Sequence, residues 1–179
     1  MPSIETTDWL ALRSRIDTLA TVPAMQVFDP GAIVTPPSDA SGPLPFILLS
    51  DVANDPQRVG ISRRGIHGVD HVRSGILMLS VQWPIARAVS HTQLKEIAGQ
   101  IAAHFPADTC MSYGPSRLRV TQDAAAMQAY VEGAYRVAVV RVFWQGMGGV
   151  PGSNLPPNAL TYGGEPMTYG EDILTYGDS

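Results

Sequence analysis

A single cysteine, Cys110, is all that the 179 residues hold, so no disulfide can form within the chain and no thiolate cluster is available for a metal. It reads as a small, partly buried thiol. The four histidines have no ligand spacing either. His67 and His71 are four apart, but Gly65 and Gly68 around them argue against the helix on which that spacing would bring them together. His91 falls at a helix start and His104 near a helix end, where local structure accounts for them. Gly-x-Ser-x-Gly and His-Glu-x-x-His are both missing, and Gly60, Gly65 and Gly68 fit neither a dinucleotide fingerprint nor a P-loop. Asp51, Asp55 and Asp70 border turns or strands, as structural carboxylates do. The sequence therefore predicts no enzyme: no catalytic residue, no cofactor and no metal.

Charge is also scarce. Charged residues make up 16% of the chain and its formal net charge is −4, which gives no overall pull toward nucleic acid or acidic lipid. No stretch approaches the ~20 apolar residues of a membrane span. The opening MPSIETTDWLALRSRID carries acids and periodic apolar positions where a signal peptide needs a basic end and an unbroken apolar run. A soluble chain with no membrane partner is expected. With 45% apolar residues there is enough material for the core of one ordinary domain plus extensions.

The clearest organisation lies between His71 and Phe105. Leu77, Leu79, Val81 and Trp83 alternate with Ser74, Ile76, Met78, Ser80 and Gln82, a strand with one greasier face. The period then changes to about 3.6, with Leu94, Ile97, Ala98, Ile101, Ala102 and Phe105 on one stripe. Ser90 and Gln93 have the spacing of a capping box, and Pro106 closes the helix. Strand and helix are expected to bury these surfaces against each other.

In chain order, residues 7–20 predict a first helix with Trp9, Leu12, Ile16 and Leu19 on one face and Thr6, Thr7 and Asp8 as caps or first-turn acids. Met25–Phe28 is a candidate short strand. The proline-rich DPGAIVTPPSDASGPLP is a long loop, either reaching toward a partner or an idle excursion. Phe46–Val52 has strand length. Residues 53–70 read as a β-hairpin or mobile loop whose Arg58, Arg63, Arg64 and His67 make contacts outside the domain. Arg117–Thr121 predicts a brief strand, and residues 123–128 a helical turn or a bridge into the next strand. Ala134–Trp144 predicts a strand covered on both sides. Arg136 and Arg141 lie on its opposite faces, and the expectation is that they point outward into an interface or channel instead of toward buried carboxylates.

Composition changes at Gly146. Residues 1–145 form the α/β domain, 146–158 a Gly/Pro-rich linker, and 159–179 three seven-residue repeats, ALTYGGE, PMTYGED and ILTYGDS, with Tyr162, Tyr169 and Tyr176 in register. Glycine in every repeat and threonine beside tyrosine oppose a coiled coil and favour short extended pieces broken by turns. Such an arm is disordered when free or docks through its tyrosines.

From Trp9 to Trp144 the element order resembles the tail terminator and tail-completion proteins of long-tailed bacteriophages and related prophage or gene-transfer particles. The resemblance is carried by the helix WLALRSRIDTLA, the proline-rich loop, PFILLSDV, the strand GILMLSVQWP, the helix SHTQLKEIAGQIAAHFP and the strands RLRVTQ and YRVAVVRVFW. It implies an α/β (α+β) fold, one mixed β-sheet flanked by two helices, here with an extended C-terminal arm. It also implies a structural virion protein, assembled in the host cytoplasm as a homo-hexameric ring at the head-proximal end of the tail. Such a ring stops growth of the tail tube and offers the surface for head attachment. Its partners are itself, the tail tube protein and a head-completion or stopper neck protein, with non-specific contact to DNA in the lumen. The repeat arm departs from that pattern. Alternatives are a head-to-tail connector or stopper, a small α/β enzyme, or a nucleic-acid-binding module built on Arg58, Arg63, Arg64 and Arg73.

Overall fold

The structure, a computed structural model, describes residues 3–54, 57–58 and 70–149, together with residues 161–162, 165–166, 168–169 and 172–173; side chains are described for 3–54 and 72–146. The chain opens with α1 (Ile4–Ile16), β1 (Gln26–Phe28), β2 (Ser38–Asp39), β3 (Gly42–Pro43), β4 (Phe46–Ala53), β5 (Gln57–Arg58) and β6 (Asp70–Pro84). After α2 (His91–Ala103) come β7 (Cys110–Tyr113), β8 (Ser116–Val120), β9 (Ala125–Ala126), β10 (Tyr130–Glu132) and β11 (Tyr135–Gly149). The repeat region contributes β12 (Thr161–Tyr162), β13 (Glu165–Pro166), β14 (Thr168–Tyr169) and β15 (Asp172–Ile173).

One mixed sheet runs in the order β1-β4-β6-β11-β8-β7. Its spine is the antiparallel pair β6 and β11, in register from Tyr135↔Pro84 to Gly149↔Asp70. The other margin of β11 is shared by β10, β9 and β8 in turn. β1 adds a parallel edge beside β4, which makes the sheet mixed. Two tight hairpins shape this half, Gly114-Pro115 between β7 and β8 and Gly133-Ala134 between β10 and β11. In each the first turn residue has φ near +55°, open to glycine at little steric cost.

The pairing register sorts side chains by face. Ile47 and Leu49 of β4, Leu77, Leu79 and Val81 of β6, and Ala138, Val140 and Val142 of β11 are consecutive neighbours on one face. They join Ala11, Leu12 and Ile16 of α1 and Leu94, Ile97, Ala98 and Ile101 of α2 in a single buried cluster. Both helices therefore cover the same face, and strand β11 is covered by helix on one side alone. The face opposite, with Leu48, Met78, Arg141 and Phe143, has no helix over it among the described residues.

Helix α2 begins as its sequence requires: Gln93 N–H donates to Ser90 Oγ and the Gln93 side chain accepts from Ser90 N–H. Phe105, just beyond its end, is fully buried. Helix α1 starts three residues earlier than its apolar period implied. Ser3 is its cap, accepting from Thr6 N–H, and the helix closes at Ile16, where Thr18 Oγ1 donates back to Arg15 O.

Thr7 and Asp8 are consequently not caps but buried helix residues, 1% and 4% exposed. Asp8 receives two hydrogen bonds from Arg73 of β6, at 2.5 and 3.1 Å, and a third from Ser116 Oγ of β8 at 2.6 Å. Thr7 Oγ1 lies 2.7 Å from Ser116 Oγ. Beside this polar knot Gly146 of β11 stands opposite Arg73, and a methyl group there would collide with Leu118 of β8. Two positions along, and so on the same face, Trp144 lies across Gly75, whose added Cβ would come within 2.6 Å of the indole ring. The strand thus runs past Gly146 to Gly149, where composition alone marked a linker, because β6 pairs with it as far as Gly149↔Asp70.

Removing one partner from a buried, bidentate ion pair is costly. Asp8→Ala is expected to lower unfolding free energy by about 3–5 kcal/mol in urea titration, and Asp8→Leu with Arg73→Met to lose less than the sum of the two single changes. Gly75→Ala is expected to cost about 1–3 kcal/mol through overpacking against Trp144, measured the same way. Near this knot burial raises the pKa of Asp51 above the ordinary 3.8; the hydrogen bond from Trp144 Nε1–H opposes this and the Asp8 charge reinforces it. Folded Asp51 holds its proton more tightly than unfolded Asp51, so stability falls as pH rises from 3.8 through the raised value. Asp51→Asn, which keeps an acceptor for Trp144, is expected to raise the thermal midpoint at pH 7, the gain vanishing below pH 3.8.

Candidate assembly surfaces

The proline-rich excursion contains a two-stranded hairpin. β2 and β3 pair at Ser38↔Pro43 and Asp39↔Gly42, and Ser41 N–H donates to Asp39 Oδ1 across the turn. Arg87, just past β6, clamps it: Nε donates to Pro43 O at 2.7 Å, while Nη2 pairs with Asp39 and reaches Gly42 O. A second tie lies at the root, where Arg13 of α1 bridges Asp17 and Asp29. Between the two ties Ile33 is 96% exposed. An aliphatic side chain held in water on a fixed loop is what a protein contact would bury.

Sheet face and sheet edges are the other open surfaces. On the helix-free face Val52 is 48% exposed and Leu48, Ile76, Met78 and Phe143 are half-buried. At one end of it Phe46 packs edge-to-face with Phe28 and Tyr135, at 5.5 Å in each case. The sheet path ends at β1 and β7, each paired along one margin.

Of the residues singled out from sequence, Arg136 and Arg141 are the best described. Arg136 does not reach outward; it donates to Val89 O at 2.6 Å and ties β11 to the lead-in of α2. Arg141 lies on the helix-free face, half-buried, its guanidinium 5.7 Å from the Phe143 ring centre and its buried Nε without a hydrogen-bond partner. Neither has a carboxylate partner among the described residues. Arg73 faces the core and pairs with Asp8, so it is no part of a nucleic-acid surface. Arg58 belongs by backbone to β5, beside His71 of β6. Arg63, Arg64, His67 and Tyr176 lie outside the described residues. Tyr162 and Tyr169 stand in matching strand pairs, Tyr162 opposite Glu165 and Tyr169 opposite Asp172 in backbone register.

The histidines have structural settings where they are described. His104 Nε2 is 2.9 Å from Arg15 O while Arg15 Nη2 donates to His104 O at 2.7 Å, a reciprocal stitch between the ends of the two helices. No group of three His, Cys, Asp or Glu that could hold a metal ion occurs among the described residues. No described helix is long and apolar enough to cross a membrane. Sequence reasoning missed Ile33, Arg87 and the Asp8–Arg73 pair. Of these Ile33 alone had a local signal, an apolar pair inside a proline-rich loop.

No curated protein sequence matches the chain. A solved structure with 17% sequence identity superposes with a TM-score of 0.52, covering 77% of this chain and 94% of its own, a likeness that speaks to the fold alone. Residues 9–144, from the middle of α1 to Trp144 of β11, match the phage tail terminator protein family. Since that span takes in most of α1, all of α2 and the central sheet to Trp144, the chain belongs to the phage tail terminator family, a family of structural proteins of the virion tail.

Proposed function

We propose that this protein forms a ring at the head-proximal end of the tail tube, stops the tube from lengthening and presents the surface on which the head docks. The family match over residues 9–144 carries this reading. Physical support comes from the surfaces the fold leaves open. A closed ring of identical subunits needs two different surfaces that fit each other head to tail. A single sheet with free margins at β1 and β7, and a clamped loop offering Ile33, supplies unlike surfaces on one subunit. Six copies, the tail tube protein and a head-completion or stopper neck protein are the partners this reading names. DNA crosses the lumen with salt-sensitive, non-specific contact at most. The Arg58, Arg63, Arg64 and His67 segment meets the ring neighbour or the tube.

A head-to-tail connector or stopper shares the need for open surfaces, and tube growth separates the two. Added to polymerising tail tube protein, the purified chain is expected to fix tube length, with a six-fold ring seen at tube ends by negative-stain microscopy. Tubes that lengthen at an unchanged rate would refute the terminator role. Ile33→Asp, at a position with no packing to lose, is expected to leave the thermal midpoint within about 1 °C, the scale of a surface substitution, while reducing ring or tube assembly at least tenfold by sedimentation.

A further inference from the structure

We propose that the helix-free face of the sheet around Arg117, Arg119 and Arg141 is the docking site for this chain's own repeat arm, residues 159–179. This goes beyond the terminator reading and does not depend on it. The first observation is an excess of positive charge on that face, three arginines with one exposed ion pair among them. Arg117 donates to backbone carbonyls alone, Gly114 O at 2.8 Å and Ser116 O at 2.9 Å. Arg119 approaches Asp108 at 3.5 Å with its side chain 58% exposed. Arg141 has a buried Nε with no partner. With Trp83 Nε1 it is one of the buried side-chain donors without a partner among the described residues, and such a donor calls for an acceptor.

The register puts these arginines on one surface. Arg119 is opposite Gln145 on β11 and opposite Cys110 on β7; Arg117 is opposite Ser112; Gln145, Phe143 and Arg141 follow one another along the same side of β11. A depression of about 450 Å³ lies over β7 and β8, lined by Cys110, Ser112, Arg117, Arg119 and Gln145. Phe143 and Met78 extend it with apolar surface on which an aromatic ring can lie.

The second observation is the arm's chemistry. Glu165, Glu171, Asp172 and Asp178 lie within residues 159–179 and no lysine or arginine does, so the arm carries the whole formal charge of −4 and the rest of the chain is balanced. In two of the repeats the backbone register sets an acidic residue opposite a tyrosine, Glu165 opposite Tyr162 and Asp172 opposite Tyr169. Acid for the guanidinium and ring for the apolar surface are thus offered together at a fixed repeat. Reach is sufficient. Residues 150–160 span about 36 Å when extended, whereas Arg141 lies about 27 Å back along β11 from Gly149 at strand spacing.

Cys110, exposed and the sole cysteine, sits at the edge of this face and reports on it. In the full-length chain Thr168→Cys keeps all three repeat tyrosines. Mild oxidation of that variant is expected to form a disulfide between Cys110 and the thiol introduced at position 168, within one chain or between two copies, either of which supports docking. Adding Arg117→Gln, Arg119→Gln and Arg141→Gln is expected to slow it about tenfold while the cooperative thermal transition is retained, as is changing the arm's four carboxylates to amides. Raising salt from about 0.05 to about 0.5 M is expected to slow it several-fold. Should the triple Arg variant unfold, the carboxylate-to-amide variant and the salt series decide alone. A cross-linking rate indifferent to all of these overturns the proposal. So does preferential Cys110–Cys110 pairing between copies, which would assign the face to the same face of a second copy.

Discussion

Everything else in this molecule is hung on the uninterrupted antiparallel pairing of β6 with β11. From it follow the two faces of the sheet, because alternation along each strand assigns Leu77, Leu79 and Val81 with Val140 and Val142 to one side and Met78 with Arg141 and Phe143 to the other. A slip of one residue would exchange those sets and destroy the core. Register is fixed by unequal pairs at its far end. Trp144 fits beside Gly75 and Arg73 opposite Gly146, and no other alignment gives both bulky groups a glycine. The buried Asp8–Arg73 pair then secures α1 at one orientation over the strands. Such pairs add little net stability against apolar residues of equal volume, but they penalise every arrangement that leaves one charge alone.

What could be read from the chain in advance was whatever depends on near neighbours. Ser90 and Gln93 are three residues apart, and their reciprocal cap is there. The alternation of β6 and the stripe of α2 likewise needed no knowledge of distant residues. Asp8 was misread as a first-turn acid because its partner is 65 positions away and nothing local distinguishes a buried aspartate from a capping one. Gly146 looked like the start of a linker for the same reason: the space it gives matters to Leu118, on another strand. Arg136, expected to point into an interface, instead satisfies the carbonyl of Val89, a partner that only the turn from β6 to α2 brings near.

Placing both helices on one face makes the subunit two-sided. One side is closed and dry, with Leu12, Ile101 and Phe105 fully buried. The other is a sheet surface of half-buried hydrophobic residues and arginines with few carboxylates, unusual for a surface meant to stay in water. The chain belongs to a tail terminator family, and a subunit closed on one side and open on the other is a form suited to a structural protein of the virion tail. The clamped loop with Ile33 serves the same economy: Arg87 fixes the hairpin so that an apolar tip can be displayed without collapsing onto its own sheet.

The two margins of β11 differ in a way that bears on how such a subunit adapts. Along β6 its pairing is continuous, so displacing any part strains the whole ladder. Along the other side it passes from β10 to β9 to β8, with irregular chain between them held by single bonds such as Met127 N–H to Val139 O and Thr121 N–H to Phe143 O. Each short strand can loosen without unzipping the next. The central strand therefore has one unyielding border and one segmented border, and a neighbour pressing on the segmented side meets a surface that gives in increments while the core stays in register.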